Sequence, residues 1–157
     1  MVTDTIHATG LLVGRIGVLI RGPSGSGKSQ LAADLIEETR RNGGFAALVA
    51  DDRVAIAKSH GRLIARAPAA IAGRIEVRGF GIERVDHEPA AVVRLVVDLV
   101  DPTTVERIPE PEALWTHVAG VRLARIAVPQ DRVQALPAIR ACIRALSAGE
   151  NARLPSI

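Results

Sequence analysis

One eight-residue segment near the start of the chain has the residue types and spacing of a phosphate-binding loop. It fits the pattern G-x-x-x-x-G-K-S/T without a mismatch and consists of Gly22, Pro23, Ser24, Gly25, Ser26, Gly27, Lys28 and Ser29. The glycines let backbone N–H groups converge on phosphate oxygens, because no Cβ atom stands in the way. In such loops the lysine reaches the β- and γ-phosphates and the last hydroxyl binds Mg²⁺. The segment therefore predicts ATP and Mg²⁺ as ligands.

Two pairs of acidic residues lie at the ends of apolar runs, and either pair could supply a carboxylate to the metal. Asp51 and Asp52 directly follow one run, and Asp98 and Asp101 lie near the end of another. We favour the first pair, because its strand is entered directly from the helix that follows the loop. Two adjacent acids can also divide the work, one on the metal and one on a nucleophile. At Asp98 we expect a solvated acidic turn.

The elements around the loop must position these groups. Apolar runs at 6–12 and 15–20 predict two short strands, the second leading into the loop. Residues 28–41 have helical spacing and end at an Asn-Gly-Gly stop signal. The continuous apolar run at 45–50 is typical of a strand buried on both faces. Residues 15–50 therefore form a strand, loop, helix and strand unit, which predicts a parallel sheet.

The rest of the chain predicts further strands and one long helix. The predicted elements are a hairpin with strands at 54–57 and 63–65, a helical turn at 68–73, half strand and half Gly-rich loop at 75–82, a strand at 92–100, a loop with a short helix at 101–120, a strand at 121–128 and a helix at 131–148. Asp131 is the expected N-cap of that helix, and Pro137 either kinks it or delays its start. The fold class is α/β, with a largely parallel or mixed sheet flanked by helices.

Composition limits the classes of protein that remain. The chain has 157 residues, of which 48% are hydrophobic and 24% charged, as expected for one globular domain over 1–157. The single cysteine, Cys142, excludes an intrachain disulfide and a cysteine-built zinc site. A reducing cytoplasm is the expected location.

The charge pattern and the hydropathy exclude two kinds of partner. There are 20 basic and 17 acidic residues, spread along the chain, and only three aromatic residues, so we expect no nucleic-acid partner. No apolar run approaches the ~18 residues that a membrane helix needs, and the start of the chain lacks the pattern of a signal peptide. We expect no membrane partner.

Four features in order resemble the HPr kinase/phosphorylase family. They are His7, the phosphate-binding loop fifteen residues later, Leu48-Val-Ala-Asp-Asp52 and Ile75-Glu-Val-Arg-Gly-Phe-Gly-Ile82. Many families share the loop, whereas this order is far more specific, and it covers most of the chain. The resemblance is to the family's C-terminal catalytic domain. It implies a P-loop kinase fold related to bacterial phosphoenolpyruvate carboxykinase.

The resemblance also implies a reaction and its partners. The family transfers phosphate from ATP to a serine of HPr, the small phosphocarrier of the bacterial phosphotransferase system. In reverse, inorganic phosphate attacks the phosphoserine and pyrophosphate is formed. An HPr-like carrier is thus the implied partner, and a homo-oligomer, a hexamer in the family, is the implied assembly. The family's N-terminal domain is expected to be absent from 1–157.

Catalytic roles follow from the resemblance residue by residue. Asp51 resembles the base that takes the serine proton, and His7 would lie beside it and set its ionisation. Arg107 and Arg78 would contact phosphate or acidic groups. These roles agree with general chemistry, since a serine hydroxyl is a poor nucleophile that needs a nearby base.

The resemblance assigns the metal and phosphate ligands as well. Lys28 and the loop would hold the β-phosphate, while Ser29 and Glu76 resemble Mg²⁺ ligands. Asp52 would support the metal or its water. Departures from the family pattern include Gln30 in place of an acid and the altered segment 128–132, which bear on the reverse reaction, the assembly and HPr docking.

Two other functions fit the same loop. One is a small-molecule P-loop kinase, which usually has an Arg-rich lid where this chain has its hairpin and the E-V-R-G segment. The other is a non-catalytic ATP sensor that reports to a partner. In a sensor, Asp51 could be lost without effect on ATP binding or signalling.

Overall fold

A computed structural model describes residues 4–149 of the chain. Within them lie eleven strands, two α-helices and three short 3₁₀ turns at Ala69–Ile71, Pro102–Thr104 and Pro111–Leu114. The strands are β1 (Asp4–His7), β2 (Thr9–Val13), β3 (Ile16–Arg21), β4 (Ala46–Ala50), β5 (Arg53–Ser59), β6 (Arg62–Arg66), β7 (Arg74–Val77), β8 (Gly81–Arg84), β9 (Ala90–Val100), β10 (Trp115–Val118) and β11 (Val121–Pro129), and the helices are α1 (Lys28–Arg41) and α2 (Arg132–Ser147).

Nine of these strands form one mixed sheet. Its order is β1-β5-β6-β9-β3-β2-β4, and β11 pairs with β9 and with β10. Strand β9 is parallel to β3 and to β11, whereas the other pairs are antiparallel. The α/β class with a mixed sheet is therefore confirmed. The expected parallel unit over 15–50 is wrong in one respect, because β2 lies between β3 and β4 and is antiparallel to both.

The sheet curls at the point where β1 is followed by β2 and β4 is followed by β5. Strand β1 pairs with β5 and β2 pairs with β4, so the link Asp51-Asp52 between β4 and β5 lies opposite Ala8. The Ala8 N–H donates to the Asp52 carbonyl at 3.2 Å. Asp52 has a φ of +63°, in the left-handed region that few non-glycine residues adopt. This irregular backbone buries the Asp51 side chain and leaves Asp52 exposed.

Apolar side chains fill both faces of the curled sheet. One cluster joins α1 and α2 to β2, β3, β9 and β11, and includes Leu31, Leu35 and Ile139. The other lies on the opposite face and joins β5, β6, β10 and β11, and it includes the fully buried Val54 and Leu63. Each such fully buried side chain stabilises the fold by about 1.5–3 kcal/mol. Both helices thus pack on one face of the sheet, and this packing fixes the position of the first turn of α1.

Both predicted helices are confirmed. Helix α1 covers 28–41 as predicted and ends at Asn42, with Gly43 in the left-handed region at φ +82°. Helix α2 begins at Arg132, and the Asp131 carboxylate accepts the Val133 N–H at 3.0 Å, as expected of an N-cap. Pro137 lies inside the helix and does not delay its start. Within residues 4–149, no helix is both long and apolar enough to cross a membrane.

Two predictions about loops are revised. Strands β7 and β8 form a separate hairpin, so the Gly-rich part of 75–82 is its turn and second strand. The segment after it lies along β4, where the Glu88 N–H donates to the Leu48 carbonyl at 2.8 Å. Strand β10 lies in the segment predicted as loop and short helix, and it pairs with β11 through a turn at Ala119-Gly120.

Candidate active site

The phosphate-binding loop joins the carboxyl end of β3 to the start of α1. Gly25 and Gly27 have φ values of +78° and +96°, which glycine adopts without steric cost. A tight turn closes the loop, since the Ser26 N–H donates to the Pro23 carbonyl at 3.0 Å. Within the described residues, no side chain caps α1 at Gly27. The amides of the first helical turn therefore point to the loop's mouth without an intrahelical acceptor, which is how helices bind anions.

Lys28 lies against the loop with its amine held by backbone. Its Nζ donates to the carbonyl oxygens of Gly22 and Pro23, both at 3.1 Å, and its side chain is buried. The Ser26 hydroxyl is buried too and has no partner among residues 4–149. A Cβ added at Gly22 would lie 2.6 Å from that hydroxyl and 3.0 Å from the Cβ of Leu99, so a side chain there would crowd the loop. An ammonium, an unused hydroxyl and free amides together fit a bound phosphate.

Asp51 ties three elements together at the end of β4. Its Oδ1 accepts the hydroxyls of Ser29 at 2.6 Å and Thr9 at 3.1 Å, and its Oδ2 accepts the Glu76 N–H at 2.9 Å. Only 7% of Asp51 is exposed. The carboxylate therefore positions the first turn of α1 against β2 and β7. Thr9 was not among the predicted residues, although a polar residue inside an apolar run two positions after His7 is a visible signal.

Asp52 is the residue that His7 contacts. The Nε2 atom of His7 lies 3.1 Å from Oδ1 of Asp52, and both side chains are about half exposed. The expectation that His7 lies beside Asp51 is corrected by this geometry. Asp51 and Asp52 lie in the bend between β4 and β5, where the backbone of Asp52 is left-handed, and the two adjacent side chains have different surroundings. Asp52 thus faces the open cavity, whereas Asp51 faces the protein.

A cavity of about 790 Å³ opens above the loop. Its walls are residues 24–30 of the loop and helix, the side chains of Asp52, Glu76 and Arg78, and the segment Gln130-Asp131-Arg132. A Cβ at Gly25 would lie 3.7 Å from the Arg78 guanidinium, so this arginine stands over the loop. This cavity therefore brings together residues of three predicted segments, namely the loop, Asp52 and the E-V-R-G segment.

Two arginines differ from the prediction at this cavity, one that was expected there and one that was not. Arg107 is exposed in the loop between two 3₁₀ turns and is not part of the cavity wall. Arg132 was not predicted, and it forms an ion pair with Asp34 of α1 at 3.1 Å. The signal for Arg132 was the N-cap at Asp131, because the start of a helix at a sheet edge places its first turn beside neighbouring loops.

The residues expected to bind Mg²⁺ fit a metal shared with phosphate groups. Ser29, Asp52 and Glu76 line the same cavity. Among residues 4–149, no group of three or more His, Cys, Asp or Glu side chains could hold a metal ion by itself. Mg²⁺ usually takes one or two protein carboxylates, with waters and substrate phosphates as its other ligands. The donor set is suited to that kind of site.

The prediction of a solvated acidic turn at Asp98 is wrong, because this residue lies in a strand and is bound by two arginines. It lies within β9, where its carboxylate is bound by Arg21 at 2.7 Å and Arg125 at 2.6 Å. Burial disfavours the Asp98 carboxylate, but the hydrogen bonds and charges of the two arginines outweigh burial and lower its pKa below the ordinary value. Because Arg21 directly precedes the loop, this network fixes the strand end from which the loop starts.

Comparison with known proteins identifies the family. Residues 2–144 match the model of the HPr Serine kinase C-terminal domain. The HPr kinase/phosphorylase of Clostridium beijerinckii is 44% identical over 77 residues, which are 49% of this chain and 24% of that protein. The HPr kinase/phosphorylase of Halalkalibacterium halodurans is 42% identical over 81 residues, 51% of this chain and 24% of that protein. The matched segment thus spans about a quarter of these relatives.

A solved structure extends the similarity to nearly the whole chain. The Hpr(Ser) kinase/phosphatase from Coxiella burnetii superposes with a TM-score of 0.76 and 27% sequence identity. The superposition covers 93% of this chain and 99% of that chain. With a P-loop kinase fold and a matching family model, the chain belongs to the HPr serine kinase C-terminal domain family.

Proposed function

We propose that this domain is an ATP- and Mg²⁺-dependent protein kinase that phosphorylates a serine of an HPr-type phosphocarrier. The observation that carries the proposal is the shared cavity, where the phosphate-binding loop meets Asp52, Glu76 and Arg78. The names of the relatives support the carrier as the acceptor. As the resemblance implies, the protein works in the cytoplasm as a homo-oligomer.

The loop binds the phosphates of the nucleotide. Lys28 exchanges its two carbonyl partners for phosphate oxygens, and the buried Ser26 hydroxyl gains an acceptor. The amides at the start of α1 contribute further hydrogen bonds to the anion. Arg78, which stands over the loop, neutralises charge on the transferred group. Such positioning and charge neutralisation account for most of the catalysis in phosphoryl transfer.

Asp52 is the base in this proposal, in place of Asp51. Asp52 is exposed to the cavity and oriented by His7, whereas both oxygens of Asp51 already accept hydrogen bonds. As the serine Oγ bonds to the γ-phosphorus, the bond from phosphorus to the β–γ bridging oxygen breaks and ADP leaves. The serine proton passes to the Asp52 carboxylate.

The same group serves the reverse reaction. Inorganic phosphate attacks the phosphorus of phosphoserine, the bond to the serine oxygen breaks, and protonated Asp52 returns the proton to that oxygen. The products are the free serine and pyrophosphate. We propose this phosphorylase step from the family resemblance and from the position of Asp52 beside the loop.

Ser29, Asp51 and Glu76 prepare the metal site. When Mg²⁺ is bound, it neutralises negative charge on the phosphates. Asp51 holds the Ser29 hydroxyl at 2.6 Å and the Glu76 backbone at 2.9 Å, so two proposed ligands are fixed by one carboxylate. Asp51 is therefore a positioning residue in this account.

A transfer assay tests the proposed function. The domain is incubated with γ-labelled ATP, Mg²⁺ and HPr-type proteins from the same genome, with an unrelated protein of similar size as control. We expect label on one HPr serine, located by mass spectrometry, and loss of label when that serine is replaced by alanine. ATP binding without label on any carrier would contradict the proposal and favour a small-molecule kinase or a sensor.

A further inference from the structure

A second cavity lies on the sheet away from the phosphate-binding loop. One edge of β9 pairs with β6 through residues 90–93 and then with β11 through residues 95–100. The two partner strands separate at Arg94, and a groove of about 590 Å³ opens between them. Within the part of the chain that the structure describes, its wall shares no residue with the cavity above the loop.

Among residues 4–149, the charged residues that line this groove are all arginines. Four different segments supply them, and they are Arg15, Arg62, Arg94 and Arg122. Within residues 4–149, none of the four forms an ion pair with a carboxylate, and the groove wall contains no acidic residue. The groove therefore concentrates positive charge that the described chain does not neutralise.

Two of these arginines are held in place by the fold. The Arg122 guanidinium stacks on the Trp115 ring at 4.0 Å from its centre, and a stacked guanidinium keeps its in-plane N–H donors for a ligand. Arg94 donates to the Leu146 carbonyl of α2 at 3.4 Å. Val92 and the Trp115 ring, both partly exposed, supply apolar surface in the wall. The groove thus combines oriented donors with an apolar surface, the usual make-up of a small-molecule site.

We propose that this groove binds a small organic anion with two or more carboxylate or phosphate groups around an apolar body. Guanidinium groups on both walls recognise such groups by paired hydrogen bonds, and the apolar wall contacts the body between them. The site is separate from the transfer site. Val93 beside the groove and Asp98 beside the loop are five residues apart on β9, about 16 Å along an extended strand.

The chain contains its own reporter for this site. Trp115 is the only tryptophan in the sequence, and there is no tyrosine, so intrinsic fluorescence reports the groove wall. We would titrate the protein with benzene-1,3,5-tricarboxylate and, separately, with pyrophosphate at constant ionic strength. Both titrations are repeated on Lys28→Ala, in which the phosphate-binding loop is impaired. We expect a saturable change that persists in Lys28→Ala for at least one of the two anions, and which anion binds separates carboxylate from phosphate recognition.

Substitutions of exposed arginines identify the groove as the binding site. Arg62→Gln and Arg15→Gln should each weaken binding by roughly tenfold or more, because each removes a charged hydrogen-bond donor. Arg66→Gln is the matched control, an exposed arginine on the same strand as Arg62 but outside the groove, and it should bind normally. A linear response, a response lost in Lys28→Ala, or binding unchanged in both groove variants would each overturn the proposal.

Discussion

The hydroxyl of Ser29 donates a 2.6 Å hydrogen bond to the carboxylate of Asp51. This bond joins the first turn of α1 to the end of β4, so it fixes the loop's last hydroxyl relative to the sheet. Asp51 receives two further hydrogen bonds, from Thr9 and from the Glu76 backbone. The neighbouring Asp52 instead points to the cavity and contacts His7. Two adjacent acids thus have separate surroundings and, in our account, separate roles.

Asp51→Asn should raise the Mg²⁺ concentration needed for transfer by about 10–100-fold, the usual effect of losing an outer-shell partner of a metal ligand. The asparagine keeps the size of the side chain but loses the charge that holds Ser29 and Glu76. Transfer rates measured over a range of Mg²⁺ concentrations check this. An unaltered Mg²⁺ dependence would count against the positioning role.

Lys28→Ala should weaken ATP binding by at least about tenfold, because a charged donor to the phosphates is lost. Calorimetric titration with ATP measures the effect. Lys58→Ala is the matched control, since Lys58 is the chain's other lysine and is exposed on β5. Equal ATP affinity in the two variants would contradict the role given to the loop.

Asp98→Asn should lower the free energy of unfolding at neutral pH by about 1.5–3 kcal/mol, because Arg21 and Arg125 lose their charged acceptor. Asp98 has a lowered pKa in the fold, owing to hydrogen bonds and charge from the two arginines that outweigh its burial. Its stabilisation is therefore complete above the unfolded pKa of about 3.9 and is lost as pH falls through the folded value.

Thermal unfolding measured between about pH 3 and pH 7 checks the direction of this pH dependence, because that interval includes the ordinary carboxyl pKa of roughly 4. The difference in stability between the original chain and Asp98→Asn should be full at neutral pH and shrink in acid. Asp86→Asn, at an exposed position, serves as the control. A difference that is independent of pH would contradict the paired state of Asp98.

Local patterns in the sequence were enough to predict α1 and the phosphate-binding loop. The helix has an apolar face at Leu31 and Leu35 and a glycine signal at its end, so its bounds follow from neighbouring residues. Strand β10 was missed because its four residues follow a proline-rich segment, and only pairing with β11 makes them a strand. Short strands depend on partners that are distant in sequence, which local patterns do not contain.

The residues that form the candidate site were predicted better than the contacts between them. The loop, Asp51, Asp52 and Glu76 were all predicted, and the structure brings them together. The pairing of His7 with Asp52 depends on the left-handed backbone at Asp52, a position where the sequence has no glycine to signal it. Thr9 acts through a hydrogen bond across strands, which requires the register of β2 against β4.

The most direct test of the account is phosphoryl transfer to the carrier by Asp52→Asn, measured beside its ATP affinity. The isosteric amide cannot take the serine proton, so transfer should fall by about 10²–10⁴-fold, the usual contribution of a general base. ATP affinity measured without Mg²⁺ should stay unchanged, because Lys28 and the loop are intact. Near-normal transfer by Asp52→Asn would contradict the assignment of Asp52 as the base.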